Sequence, residues 1–204
     1  MDKKKKNIIL TVICMILIII LIFYARKIII FKNITQKMDE YTNSNNYYIW
    51  NSYYNGLSVV ITEIWTKDNE LLLKLNSDEM TYAIKNDKLY EYSNNEWKEV
   101  SETADEKAMI NSNWGAVNNL KEEFNNFTSI FKYKITSNII NGKNCYRIKK
   151  YALDGDVIYI EKDTGLLIRY ETIMGEHNDS NEIQSTIRDY KYEFNNVNEN
   201  FIDF

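Results

Sequence analysis

The residue types best suited to chemistry are few and scattered. The single histidine, His177, lies in the polar stretch 175–181 beside Glu176 and Asp179. A metal role would need further ligands at a fitting spacing, and without them His177 reads as a solvated loop residue. Asp154-Gly155-Asp156 offers acids in a tight turn but lacks the additional oxygen ligands and terminal Glu of a calcium loop. No Ser/His/Asp, Cys/His or glycine-rich phosphate arrangement occurs. Glu122-Glu123, and Asp68 with Glu70, fall where a solvated helix face and a turn are expected, so nothing favours paired-carboxylate chemistry. Arg147, Arg169 and Arg188 lie within strands, where they pair with cross-strand acids or hold an anionic group at the mouth of a cavity. Cys14 sits in an apolar run and Cys145 in a predicted strand, so the two cannot meet; Cys145 reads as a buried small hydrophobe. The chain therefore reads as a non-enzymatic protein with no cofactor and no metal.

The elements that would position any site begin with an anchor. Ile8 to Ala25 is free of charge and dominated by Ile, Leu, Val and Met, which reaches the roughly 18 residues a bilayer-spanning helix requires. Lys3 to Lys6 precede it, so the positive-inside rule places residues 1–7 in the cytoplasm as a basic tail, residues 8–25 in the cytoplasmic membrane as a single pass, and residues 26–204 outside. A cleaved signal peptide is disfavoured because Phe23-Tyr24-Ala25 makes a poor small-x-small site. Lipidation at Cys14 fails because Ile13 precedes it and the apolar run continues beyond it. Residues 1–27 carry a net charge of +5, leaving −9 for the remainder of a chain whose total is −4. An acidic outer domain excludes nucleic acid, and argues against an anionic membrane surface, as its main partner.

Hydrophobic residues at 45% supply a core despite a mean hydropathy of −0.45, so the outer part should fold as one domain. Residues 34–45 carry Ile34, Met38 and Tyr41 at helical spacing and predict a short amphipathic helix. Strands are expected at 47–54, 57–66, 71–75, 81–84, 88–92 and 97–100. Between them stand Asn55-Gly56, Lys67-Asp68-Asn69, Asn86-Asp87 and Asn94-Asn95, residues suited to tight hairpins. Trp114, Val117, Leu120, Phe124, Phe127 and Phe131 then recur at three- and four-residue intervals, predicting an amphipathic helix. Strands resume at 133–140, 145–152, 157–161, 166–173 and about 182–197, with turns at Asn141-Gly142, Asp154-Gly155 and Asp163-Thr164-Gly165. Tyr190, Tyr192 and Phe194 alternate with Asp189, Lys191 and Glu193, as in a strand solvated on one side, and Leu71, Leu73 and Leu75 behave likewise. Residues 57–66 and 157–161 are apolar on both faces and read as central strands.

Two segments carry a resemblance. Val157 to Arg169, built around Asp163-Thr164-Gly165-Leu166, is followed by Asp189 to Val197 and the ending Asn195-Asn196-Val197-Asn198-Glu199-Asn200-Phe201. This resembles the C-terminal half of the LolA/LolB-like lipoprotein-carrier superfamily, whose members share a D-x-T-G-L hairpin and a long last strand ending in N-x-V-x-(D/E)-x-F. The family often has Pro after the turn's Leu, where this chain has Leu167. The resemblance implies an α+β fold: a curved, mostly antiparallel sheet forming an incomplete barrel, covered by helices, with a cavity for acyl chains or a partner's peptide. The aromatic residues Trp50, Trp65, Tyr82, Tyr90, Tyr146 and Tyr170 are the candidate ligand-binding set. The expected partners are the membrane, a lipid or lipoprotein ligand, and an envelope protein. A filled concavity, with the domain serving as an interaction or sensing module, is the alternative expectation.

Overall fold

Neither Gly nor Pro interrupts residues 3–42, and nothing there caps or breaks a helix. In a computed structural model, which describes residues 3–76, 80–101, 114–151, 155–173, 185–198 and 201–202, they form one continuous helix, α1 (Lys3–Thr42). The amphipathic helix expected at 34–45 is therefore the last turns of the apolar helix. At about 1.5 Å per residue, α1 is roughly 60 Å long. The stretch through Phe23 exposes its side chains on all sides, whereas Phe31, Ile34 and Met38 are buried.

Among the described residues eleven strands follow: β1 (Asn46–Tyr54), β2 (Val59–Lys67), β3 (Glu70–Leu75), β4 (Met80–Lys85), β5 (Lys88–Ser93), β6 (Glu96–Glu99), β7 (Tyr133–Ile140), β8 (Lys143–Lys150), β9 (Val157–Glu161), β10 (Leu167–Ile173) and β11 (Ser185–Phe194). They form one open antiparallel sheet in the order β6-β5-β4-β3-β2-β1-β11-β10-β9-β8-β7. Two meanders are thus joined only where β1 pairs with β11, with Ile49 opposite Tyr192 and Tyr53 opposite Arg188. The sheet does not close into a barrel, and the fold is α+β. The hairpins follow the turn chemistry of the sequence: Asn86, Asp87, Asn94, Asn95 and Asn141 all adopt positive φ, the conformation that two-residue turns require.

Between β6 and β7 lie α2 (Gly115–Asn125) and α3 (Ser129–Lys132). The single amphipathic helix expected through Phe131 breaks at Asn126, whose ψ of 120° is extended. Its side-chain oxygen accepts from the backbone N–H of Thr128 (3.0 Å) and from the Thr128 hydroxyl (2.9 Å), a local turn that competes with helix continuation.

Helices α1 and α2 pack on one face of the sheet, here called inner. The main core joins Phe31, Ile34 and Met38 of α1 with Val117, Leu120 and Phe124 of α2 and with inward residues such as Ile49, Ile64, Leu73, Ile148, Ile158 and Tyr190. Phe31 stacks on Phe124 at 4.7 Å. The Asp163-Thr164-Gly165-Leu166 turn rests against α1. Gly165 has φ +72, and a Cβ there would lie 2.7 Å from Lys37 Cβ and 2.8 Å from the Ile34 carbonyl oxygen. Lys37 Nζ donates to the Lys162 carbonyl at 2.5 Å.

Two expectations need correction. Leu57 is 95% exposed and Val59 is also exposed, so the start of 57–66 is turn and open strand, not a doubly buried centre. The outer face of β3 is not solvated, because Leu72 and Ala83 are buried beneath Trp65, Trp97, Phe201 and Ile202, where the C-terminal segment crosses the sheet. β9 does match its reading and is buried throughout.

Candidate functional site

The inner face is largely filled by α1 and α2, and what remains open lies along the flank of α2. One cavity of about 390 Å³ is bounded by Ile49, Asn51 and Tyr53 of β1, Val60, Thr62 and Ile64 of β2, Leu73 and Leu75 of β3, Gly115 and Ala116, and Arg188 and Tyr190. A second, of about 330 Å³, is lined by Ala116, Asn119, Leu120, Glu123, Leu167, Tyr170 and Arg188. Ala116 and Arg188 border both, so the two cavities form the arms of one groove. Each lies in the roughly 300–1,000 Å³ range of small-molecule sites.

The strand period explains why Arg188 is there. On β11, side chains alternate between faces, and Arg188 shares its parity with Tyr190, Tyr192 and Phe194, which stack in a ladder at 6.2 and 6.5 Å along the inner face. Its guanidinium stands 4.9 Å over the Tyr53 ring. Burial raises the pKa of the Tyr190 hydroxyl, and the nearby Arg188 guanidinium works against that shift. Arg169, of opposite parity, faces outward and is bidentate to Asp189 at 2.6 and 2.9 Å. Arg147 Nε donates to the Tyr159 hydroxyl at 3.3 Å. Arg188 is thus the strand arginine that faces the groove.

Polar groups on the groove's rim are partly committed. Tyr170 is pushed up to about 12, first by burial and then by its hydrogen bond with Asp156. Glu123 accepts from Tyr133, whose hydroxyl is raised by burial and by that bond. Deeper in, Trp114 stacks on Tyr192 at 5.6 Å, and its indole Nε1 and the Tyr192 hydroxyl oxygen are buried without hydrogen-bond partners among the described residues. Burial first, and then the neighbouring Tyr190, hold the Tyr192 hydroxyl well above its usual range.

The six aromatic candidates do not converge. Tyr82, Tyr146 and Tyr170 face inward. Of these only Tyr170 lines the groove; Tyr82 is 7% exposed within the core, and Tyr146 borders a smaller cavity of about 140 Å³ beside Phe23 and Lys27. Trp50, Trp65 and Tyr90 have the opposite parity and stand on the outer face: Trp50 lies under Lys191 at 4.2 Å, Trp65 packs with Tyr48 at 5.0 Å, and Tyr90 pairs with outward Ala83. Residue type located the aromatics, but the face depends on register. The signal for Arg188 was present in sequence, as a cation at an apolar parity position. Tyr53 and Ala116 carry no such signal.

A further cavity, of about 530 Å³, is elsewhere. It lies between the β2–β3 and β4–β5 turns, lined by Lys67, Asp68, Asn69, Glu70, Asn86, Asp87 and Phe201, and it is a polar surface cleft. Among the described residues, no group of three or more His, Cys, Asp or Glu is placed to hold a metal ion. His177 and Asp154 lie outside the described residues. Cys145 is fully buried, with its thiol raised by burial.

No family model matches the sequence, and no curated protein does either. The chain is similar to the Mycobacterium tuberculosis lipoprotein LppX, with 10% identity, 83% of this chain and 97% of that chain covered, and a TM-score of 0.47. It is also similar to MucB, with 10% identity, 83% and 60% covered and a TM-score of 0.45. A third is the LolA superfamily protein NE2245 from Nitrosomonas europaea, with 9% identity, 82% and 94% covered and a TM-score of 0.32.

Proposed function

We propose that this chain is a membrane-tethered extracytoplasmic binding protein whose inner-face groove receives the apolar chain of an amphiphile, with Arg188 at the ligand's anionic group. The observation that carries this reading is the meeting of two cavities at Ala116 and Arg188, where Ile49, Val60, Leu73, Leu75 and Leu167 supply the apolar part of the lining. An apolar surface with one placed cation is what a fatty acid or acylated anion needs: the chain leaves water while the charge stays paired. Tethering is supported by the one helix among the described residues that is long and apolar enough to cross a membrane, within Asn7–Thr42. The lysines at its start favour a cytoplasmic N-terminus. Binding without catalysis is the reading these residues favour.

The test uses the full-length protein in phospholipid nanodiscs, because Lys27 and Phe31 belong to the folded domain and cannot be trimmed away with the anchor. Photoactivatable palmitate should label residues lining the groove. Ala116→Phe, which places a ring in both arms, should abolish that labelling. Arg188→Gln should weaken capture of the acid by roughly tenfold, the scale of one charge-assisted hydrogen bond, and leave palmityl alcohol unaffected. Labelling that is indifferent to Ala116→Phe would rule out the groove.

A second reading is favoured by the filling of the inner face. If wild-type protein takes up neither probe and instead retains a stoichiometric protein partner, the domain is an interaction module and the groove is structural.

A further inference from the structure

The turn at Asn126 has a consequence at the foot of the domain. By ending α2 it throws Phe127 outward, and α3 places Phe131 beside it. Phe127 is 65% exposed and Phe131 52%, with their rings 5.9 Å apart. These side chains are continuous with the anchor: the Phe131 ring lies 4.9 Å from Tyr24, in the last turn of the uncharged run. Lys27, the second charge after that run, is only 4% exposed. Its Nζ donates to the carbonyls of Ile130 (2.9 Å) and Tyr133 (2.7 Å) and to the Tyr151 hydroxyl (3.2 Å). With that charge withdrawn, exposed Ile28 and Ile29 extend the apolar surface of α1 past Arg26. A groove of about 310 Å³ between Ile28, Phe31 and Lys32 of α1 and Phe124, Phe127 and Ile130 faces the same side.

Charge at this corner departs from the domain average. Lys132 and Lys134 are exposed, and the paired end of β8 brings Lys149 opposite Lys134 and Lys150 opposite Tyr133. Residues 127–134 and 147–151 contain no acid. Asp156, in the connection that follows, is held by Thr172 and Tyr170. The −9 of the outer portion therefore lies elsewhere.

We propose that this corner is a lipid-docking surface: Phe127 and Phe131 enter the outer-leaflet interface beside the anchor, and Lys132, Lys134, Lys149 and Lys150 face anionic headgroups. Aromatic side chains at the end of a spanning helix, rimmed by lysines, match the interfacial zone of a bilayer, where apolar groups bury roughly 5–10 Å deep. The inference rests on the tethering reading and is independent of the groove's ligand.

The test is on the full chain in nanodiscs, with Cys14→Ala and an environment-sensitive fluorophore attached at Phe127→Cys or, as a control on the exposed middle of β7, at Asn138→Cys. Buried Cys145 stays unlabelled. Docking predicts blue-shifted emission at position 127 that is quenched by spin-labelled phosphatidylcholine, and water-like, unquenched emission at position 138. Adding phosphatidylglycerol should increase quenching at position 127, and Lys132→Glu with Lys134→Glu should remove the increase. A water-like signal at position 127 in protein that co-purifies with nanodiscs would overturn the docking surface alone. Protein that fails to stay with the bilayer would overturn the tethering reading and the docking with it. Because position 127 is a half-exposed turn, its substitution leaves the core intact.

Discussion

At the scale of single residues, the fold depends on contacts that composition does not announce. Gly165 combines a left-handed backbone with an approach to α1 that leaves no room for a methyl group, while Gly142 has a similar φ of +78 and nothing within 4 Å of its missing Cβ. Gly142→Ala is expected to cost about 1 kcal/mol from backbone strain, and Gly165→Ala roughly 3 kcal/mol because overlap with Lys37 and the Ile34 carbonyl is added. Denaturant unfolding of the two variants in matched detergent measures the difference; equal losses would mean that α1 yields to the methyl. Lys27→Met keeps the stem but leaves the Ile130 and Tyr133 carbonyls without that donor. It should destabilise the domain by about 1–3 kcal/mol, read in the same experiment. The Asp163-Thr164-Gly165 turn was legible in sequence because Gly and Asp mark turns. The helix against which it closes was not, since a close approach between distant segments leaves no local pattern. The burial of Lys27 was not legible either, because a single charge beside an apolar run does not say which way it points.

At the scale of elements, the antiparallel hairpins were readable for a physical reason: Asn, Asp and Gly tolerate positive φ, and nearly every hairpin with such a pair turned where it stood. Sidedness was harder. A strand's two faces are fixed relative to each other by its period of two, but which one meets the helices depends on register across the whole sheet. That is why Tyr170 reached the groove and Trp50 and Trp65 did not. The break between α2 and α3 had a faint signal in Asn125-Asn126 before Thr128, outweighed by the spacing of the Phe residues. Asn126→Ala removes the acceptor that both Thr128 donors use, and it should cost about 1 kcal/mol. It should also shift the lipid-quenching signal at position 127, since the turn sets that residue's direction. A stability loss without any change in quenching would separate the turn's energetic role from its positional one.

At the scale of the whole molecule, the two meanders share a single seam, β1 against β11, and a single core that α1 and α2 run through. Neither half retains an inner face of its own once the seam opens, so unfolding should be one cooperative event. The four tryptophans, Trp50, Trp65, Trp97 and Trp114, all precede β7, whereas Cys145 lies in β8 and is buried. Tryptophan fluorescence and the onset of Cys145 alkylation should therefore report the same denaturant midpoint. Two separated midpoints would show that the meanders melt independently. The acidic net charge illustrates the limit of whole-chain averages: it argued against an anionic membrane surface, yet pairing β7 with β8 gathers lysines at one corner that a sum over the sequence cannot display.

The continuity of α1 bears on how such a protein would work in an envelope. Only a few helical residues separate Ala25 from Phe31, and no flexible linker lies between the apolar run and the domain core. Tethered as proposed, a domain mounted this way would have no leash: it would not swing toward a distant donor or rise away from the bilayer, and its groove would keep one height and one heading set by the tilt of the helix. Its free travel would be sideways, in the plane of the membrane. Whatever it bound would have to be brought to it or met by lateral encounter, as at a fixed receiving station and not a shuttle.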